Sequence, residues 1–123
     1  MNRFLLIDED VAVTQKLGLA CLEREVGVIL APNVCEGVRA LVSTSVSLIV
    51  VEAAALKLTA PEMATLFEAV APGVPVAVTV HADAPLDARV ALELAGFRVL
   101  TKPVAVEDLI AKIGALTEGA ARR

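Results

Sequence analysis

The sequence predicts a single α/β domain with a five-stranded parallel sheet and helices on both of its faces. Five short apolar runs, rich in β-branched residues, are separated by segments long enough to form helices. Within each run the hydrophobicity is nearly continuous, which is typical of parallel strands that are covered on both faces. A length of 123 residues is also within the usual size of one domain. The predicted strands are residues 4–7, 26–30, 48–51, 74–80 and 97–100.

Apolar spacing and capping residues predict the first two helices. The first follows Asp10, whose side chain is placed to accept hydrogen bonds from the free amides of the first turn. The second begins at Asn33, and Glu36 three residues later completes a pattern similar to a capping box. The residues expected to face the core are Val13, Leu17 and Ala20 or Cys21 in the first helix, and Val34, Val38, Leu41 and Val42 in the second.

The third helix has the clearest start. Thr59-Ala60-Pro61-Glu62 combines a Thr cap, an early Pro and a Glu at the third helical position. A fourth helix is predicted over residues 85–95, and it ends at Gly96, which adopts the left-handed conformation readily. The last is predicted over residues 106–116, where apolar residues recur on one face.

The alternation of strands and helices implies right-handed crossovers and a doubly wound sheet. For five units in this length, the commonest arrangement is the flavodoxin-like (βα)5 fold with strand order 2-1-3-4-5. We therefore expect one domain over residues 1–118 and a frayed tail over residues 119–123.

Composition argues against several classes of function. The net charge is −4 and the chain has no Trp or Tyr to stack on bases, so we expect no direct contact with nucleic acid. No apolar run approaches the roughly 18 residues of a membrane span. The apolar run before Asp8 is too short for a signal peptide, so we expect a cytoplasmic protein. Cys21 and Cys35 have no Cys or His at metal-ligand spacing, which favours two buried or half-buried thiols.

Polar side chains collect at the ends of the predicted strands, where ligand sites form in open parallel sheets. They comprise acids, a hydroxyl and an ammonium, a set that suits a hard cation or a phosphoryl group held between a metal and a lysine. They are Asp8, Glu9 and Asp10 after the first strand, Glu52 after the third, Thr79 and His81 at the fourth, and Thr101, Lys102 and Pro103 after the fifth.

Each of these residues also has a structural explanation. Asp10 is explained by helix capping, and the two acids before it by a solvated strand end. Glu52 is the only charge in an apolar stretch, so an ion pair with Lys102 is as good an explanation as a chemical role. Thr79 fits β-propensity. His81 stands alone in a loop, where a surface residue is more common than a ligand or base.

Four segments, in order and at nearly the expected strand spacing, match the motifs of one known family. They are Leu5-Leu6-Ile7-Asp8-Glu9-Asp10, Ser47-Leu48-Ile49-Val50-Val51-Glu52, Thr79-Val80-His81-Ala82-Asp83 and Leu100-Thr101-Lys102-Pro103. Through them the chain resembles the CheY-like receiver domains of two-component response regulators over nearly its whole length.

This resemblance implies roles for the acids. Asp8 and Glu9 match the residues that bind Mg²⁺ in the family, and Glu52 stands where the family carries its phosphorylated Asp. A Glu keeps the charge but moves the carboxylate away from the position for in-line attack, and an error of about an ångström can lower a rate on the order of a hundredfold. The longer acid can instead reach Lys102 and imitate a phosphorylated Asp. The resemblance makes Mg²⁺ a possible cofactor, bound weakly or not at all.

The resemblance also implies roles at the last two strands. Lys102 matches the Lys that contacts the phosphoryl group, and Pro103 matches a Pro that usually follows a cis bond. Thr79 matches the hydroxyl that contacts the phosphoryl group, although the spacing leaves Val80 as an alternative. The aromatic switch position, three residues before the Lys, holds Val99. In the family, an aromatic residue at this position helps to couple phosphorylation to the surface formed by the fourth predicted helix, the fifth strand and the fifth predicted helix. That coupling therefore lacks one of its parts here.

These departures favour a pseudo-receiver, a non-enzymatic module of two-component signalling that acts by protein–protein interaction. Its partner is expected to be a histidine kinase or an output protein, and a homodimer would use the face of the fourth helix, fifth strand and fifth helix. The alternative is a Mg²⁺-dependent receiver that still accepts phosphate from a histidine kinase. A flavodoxin-like domain for a nucleotide or flavin is a third option, but acids follow the first strand in place of a phosphate-binding loop.

Overall fold

The computed structural model describes residues 3–23 and 27–102, which form a five-stranded sheet in the order β2-β1-β3-β4-β5. Every strand pairing in it is parallel. The predicted fold class and strand order are therefore confirmed. The strands are Arg3–Ile7 (β1), Gly27–Ala31 (β2), Leu48–Glu52 (β3), Val76–Val80 (β4) and Arg98–Thr101 (β5).

Within the described residues, five helices accompany these strands, and α5 is the helix predicted over residues 85–95. They are Val11–Glu23 (α1), Val34–Ser43 (α2), Ala53–Leu56 (α3), Ala60–Val70 (α4) and Leu86–Leu94 (α5). The single turn α3 was not predicted, because four residues are too few to show helical periodicity. The helix predicted over residues 106–116, the boundary at 118, the tail over 119–123 and Pro103 lie outside the described residues. Within residues 3–23 and 27–102, no helix is long and apolar enough to cross a membrane.

Side-chain caps begin α1 and α4 as predicted. The Oδ1 atom of Asp10 accepts hydrogen bonds from the amides of Ala12 at 3.1 Å and Val13 at 3.3 Å. At α4 the capping box is complete: the Glu62 amide donates to Thr59 Oγ1 at 3.3 Å, and the Thr59 amide donates to Glu62 Oε1 at 3.0 Å. These bonds satisfy amides that the first turn of a helix leaves without partners.

The cap of α2 forms only in part. Asn33 Oδ1 accepts a hydrogen bond from the Glu36 amide at 2.9 Å, as predicted. The Glu36 carboxylate, however, forms an ion pair with Arg39 at 3.3 Å, so the reciprocal half of the predicted box is wrong. At the end of α5, Gly96 adopts a φ of 97°, which confirms it as the residue that ends the helix.

The sheet separates two apolar clusters, because successive strand residues point to opposite faces. One cluster joins alternate strand residues to α2, α4 and α5, and it contains Leu5, Ile7, Ile49, Val51, Val78, Val80, Leu41, Met63, Phe67 and Leu92. The other faces α1 and contains Phe4, Leu6, Leu48, Val50, Ala77, Leu100 and Cys21.

Two of the predicted side-chain positions need correction. Val42 was expected inside but is 78% exposed, because Gly37 and Leu41, four residues apart, already form the buried face of α2. The next residue along a helix is rotated by about 100° and therefore faces outward. Cys35 is exposed on the first turn of α2, whereas Cys21 is buried as predicted.

Candidate functional site at the carboxyl edge of the sheet

The polar residues predicted at strand ends lie together at the carboxyl edge of the sheet. Asp8 follows β1, Glu52 is the last residue of β3, and Lys102 follows β5. Because β1 and β3 pair Ile7 with Val51, Asp8 and Glu52 come next in register on neighbouring strands. Both acids are buried, so each needs a partner for its charge.

Lys102 is the partner of both acids. Its Nζ atom lies 2.9 Å from Asp8 Oδ2 and 3.0 Å from Glu52 Oε1. The other oxygen of Asp8, Oδ1, accepts a hydrogen bond from the Asp10 amide at 2.9 Å. The side chain of Lys102 is 16% exposed, and those of the two acids are 10% exposed. The Glu52–Lys102 ion pair expected from the sequence is therefore present, and Asp8 shares the same ammonium.

This arrangement shifts the pKa values of all three groups. Burial alone would raise the pKa of Asp8, but hydrogen bonds from Glu52, Lys102 and the Asp10 amide hold it below its ordinary value. Burial and the Asp8 carboxyl raise the pKa of Glu52, and Lys102 only partly opposes them. Burial alone would lower the pKa of Lys102, but the two acids outweigh it and raise that pKa. As the pH falls, Glu52 is therefore protonated before Asp8.

Thr79, and not Val80, lies beside Glu52. β3 and β4 pair Glu52 with Thr79 in register, so the two side chains lie on the same face of the sheet. Val80 lies on the opposite face, where it is 5% exposed within the cluster that packs against α2, α4 and α5. The contact of Thr79 with a phosphoryl group stays a prediction, but its position next to Glu52 is observed.

The candidate metal ligands do not fit a divalent cation as they are arranged. Glu9 is exposed, whereas both carboxylate oxygens of Asp8 are engaged, by Asp10 and by Lys102. The Lys102 ammonium also binds Glu52, so it already supplies the positive charge that a cation would bring. In the described part of the chain, no three His, Cys, Asp or Glu side chains form a group that could hold a metal.

His81 contacts the site, although the sequence favoured a surface role for it. Its Nε2 atom lies 3.4 Å from Glu52 Oε1, while its side chain is 64% exposed. The sequence did contain one signal for this contact. His81 directly follows β4, and the loop after a parallel strand begins at the carboxyl edge of the sheet. The same oxygen of Glu52 therefore has a buried cationic neighbour in Lys102 and a solvent-exposed neighbour in His81.

The predicted switch position lies on β5, next to a polar link between α5 and that strand. Val99 is half-buried and packs against the cluster that faces α2, α4 and α5. Arg89 of α5 donates a hydrogen bond to Thr101 Oγ1, one residue before Lys102. The Nε atom of Arg89 is buried and has no hydrogen-bond partner among the described residues. α5 is therefore joined directly to the end of the strand that precedes Lys102.

No family model and no curated protein matches this chain. Solved structures do match over nearly the whole of it. A CheY-like response regulator receiver domain protein from Methanospirillum hungatei JF-1 has a TM-score of 0.84 at 22% identity, covering 100% of this chain and 99% of that one. A two-component response regulator from Clostridium difficile has a TM-score of 0.84 at 23% identity, covering 96% and 97%.

A third solved structure also matches nearly all of this chain. It is a response regulator from Burkholderia pseudomallei with a phosphorylated aspartic acid, a calcium ion and citrate. Its TM-score is 0.80 at 20% identity, and the match covers 99% of this chain and 72% of that one. Together with the strand order and the convergence of strand-end residues at one edge, these matches show that the chain has the fold of the CheY-like response-regulator receiver domains.

Proposed function

We propose that this chain is a receiver-like domain of two-component signal transduction that acts by protein–protein interaction without being phosphorylated. The observation that carries the proposal is the 3.0 Å contact between Lys102 Nζ and Glu52 Oε1. By their resemblance to the family, these residues hold the positions of the phosphoryl-contact Lys and the phosphoacceptor. The acceptor position and its cation are therefore already joined without a phosphoryl group.

Glu52 is also a poor candidate for an attacking carboxylate. Its Oε1 atom is in contact with both Lys102 and His81, so attack through this oxygen would require those contacts to break. The additional methylene of Glu displaces the carboxylate relative to Asp, and a displacement of about an ångström lowers a rate on the order of a hundredfold. Both effects oppose transfer of a phosphoryl group to this position.

The partner surface in this proposal is the exposed face of α5 together with β5. Leu86, Val90 and Leu94 are spaced four residues apart and are 75%, 42% and 83% exposed. β5 is an edge strand of the sheet, adjacent to this helix. The proposed occupant is a histidine kinase or an output protein, with a homodimer through the same face as the alternative. Since Val99 replaces the aromatic switch residue, this surface would not depend on a ring that rotates after phosphorylation.

One observation favours a second function, a receiver that still accepts phosphate. Thr79 lies in register with Glu52, and Lys102 lies beside the same acid. A hydroxyl and an ammonium are therefore near the carboxylate, as phosphoryl transfer would require. This alternative depends on Glu52 releasing Lys102 when a phosphodonor binds.

Intact mass spectrometry after incubation with acetyl phosphate and Mg²⁺ separates the two functions. We expect wild type and the control Glu52→Gln to stay unmodified, and Glu52→Asp to gain one phosphoryl group, because the shorter acid restores the acceptor geometry. A phosphorylated wild type would contradict the proposal and support the second function. An unmodified Glu52→Asp would show that Glu52 is not the only barrier to the chemistry.

A further inference from the structure

The outer face of α1 carries large apolar side chains. Leu19 and Leu22 are 64% and 62% exposed, and Val11 at the start of the helix is 56% exposed. The inner face of the helix is formed by other residues, among them Gly18 and Cys21, which are buried. A surface helix normally places polar residues on the side that faces water. The exposed leucines of α1 therefore have no role in the core of this domain.

A residue of the neighbouring edge strand extends this apolar face. A Cβ atom built on Gly18 would lie 3.5 Å from both terminal carbons of Leu30, so Leu30 of β2 packs closely over α1 at this point. Leu30 is nevertheless 44% exposed, and β2 has no further strand on its outer side among the described residues. Leu22 lies one turn beyond Gly18. Leu19, Leu22 and Leu30 therefore form one apolar area, which we call the α1 surface.

Opposite charges lie toward the two ends of the α1 surface. Lys16 and Glu23 are both exposed, and neither forms an ion pair within residues 3–23 and 27–102. They lie seven positions apart, a rise of about 10 Å along the helix, so they lie on the same side of the helix but too far apart to pair. In an antiparallel pair of α1 helices centred near Leu19, Lys16 of each copy would lie opposite Glu23 of the other.

We infer that the α1 surface is a docking site for a second copy of this chain, through an antiparallel contact of the two α1 helices. Leu19 lies at the two-fold axis, the other apolar residues of the surface flank it, and a Lys16–Glu23 ion pair forms at each end. The same patch serves both copies, as a two-fold interface requires. Because a few exposed side chains form a small interface, the expected dissociation constant is on the order of 10–100 μM. This contact is independent of the carboxyl edge and of phosphorylation.

Sedimentation equilibrium over a concentration series tests the contact. We expect the wild-type mass to rise with concentration from 12.8 kDa toward twice that value. Leu19→Glu should stay monomeric, because it introduces two adjacent charges at the axis. Val42→Glu on α2 is the matched control, since Val42 is 78% exposed, lies on neither proposed surface and also becomes a glutamate. Leu94→Glu tests the α5 face separately. Circular dichroism verifies that all three variants are folded.

Charge reversal tests the antiparallel arrangement itself. Lys16→Glu and Glu23→Lys should each weaken self-association at least tenfold, because each places like charges opposite each other. An equal mixture of these two variants should recover association, since every charge then meets its opposite in the mixed dimer. A structural defect in either variant would not be corrected by mixing.

Three outcomes would overturn the inference. The first is a wild type that stays monomeric at every concentration up to about 1 mM, a limit well above the expected dissociation constant. The second is association that survives Leu19→Glu but is abolished by Leu94→Glu, a result that would move the contact to α5. The third is a mixture of the two charge variants that associates as weakly as each variant alone.

Discussion

Lys102 is the ion-pair partner of both Asp8 and Glu52, whose side chains are 10% exposed. Removing one partner of a buried ion pair leaves a charge that water cannot reach, and this is strongly destabilising. We therefore expect Lys102→Met to lower the free energy of unfolding by about 3 kcal/mol. Because the chain has no Trp or Tyr, urea denaturation should be followed by far-ultraviolet circular dichroism.

A second lysine provides the control for this substitution. Lys57 is exposed and has no ion pair in the described part of the chain, so Lys57→Met should change stability by no more than about 0.5 kcal/mol. Adding Glu52→Gln to Lys102→Met should recover part of the loss, because one of the two stranded charges is removed. Equal effects of the two lysine substitutions would contradict the importance of the Lys102 bridge.

The sequence was sufficient to predict the contact between Glu52 and Lys102 at this site. A lone charge in an apolar run needs a partner, and Lys102 was the one available at the same edge. That Asp8 shares this ammonium, and that His81 approaches Glu52, depends on strand register and on side-chain direction. Hydropathy can predict which strand ends share an edge of the sheet, but it cannot predict the distances between side chains of different strands.

At the scale of elements, prediction succeeded where one local signal acted alone. Continuous apolar runs predicted all five strands within about two residues, and the Thr59 box predicted the start of α4. It failed where two local signals competed, as at Glu36, whose carboxylate pairs with Arg39 and leaves the cap incomplete. The turn α3 follows β3 with no intervening loop, so hydropathy alone could not separate the two elements.

Two glycines inside helices should respond oppositely to the same substitution. A Cβ atom on Gly37 of α2 would lie 2.5 Å from Ile7 Cδ1 and 2.9 Å from Ile7 Cγ1, within the core. Overpacking of this kind costs about 1–3 kcal/mol, against a gain of about 1 kcal/mol in helix propensity. We therefore expect Gly37→Ala to destabilise the protein by about 1 kcal/mol in urea denaturation.

Gly18→Ala is the matched control for Gly37→Ala. Its Cβ would lie 3.5 Å from Leu30, an ordinary van der Waals distance, so the substitution should stabilise the protein by about 0.5–1 kcal/mol. Combining Gly37→Ala with Ile7→Val removes the Cδ1 atom and should recover part of the loss. If Gly37→Ala were as stabilising as Gly18→Ala, the close packing of α2 on β1 would be contradicted.

At the scale of the whole molecule, the pKa shifts make stability depend on pH. The pKa of Glu52 in the fold lies above the ordinary value of 4.5, because burial and Asp8 disfavour its charge. Unfolding therefore releases a proton, and the free energy of unfolding falls as the pH rises from about 4.5 through the folded pKa. Asp8 changes stability with pH in the opposite direction. Its pKa in the fold lies below the ordinary value of 3.8, so its contribution to the free energy of unfolding is present above that pH and is lost as the pH falls.

Comparison of the wild type with Glu52→Gln isolates the first of these effects. Gln resembles the protonated acid, so the two proteins should have similar stability below about pH 4. As the pH rises, the variant should become the more stable of the two, and the difference should level off above the folded pKa of Glu52. Urea denaturation at a series of pH values, in a buffer with a chelator to remove divalent cations, measures this difference. If the wild type gained stability over the variant as the pH rose, attraction to Lys102 would outweigh burial and Asp8, and the pKa of Glu52 would be lowered in the fold.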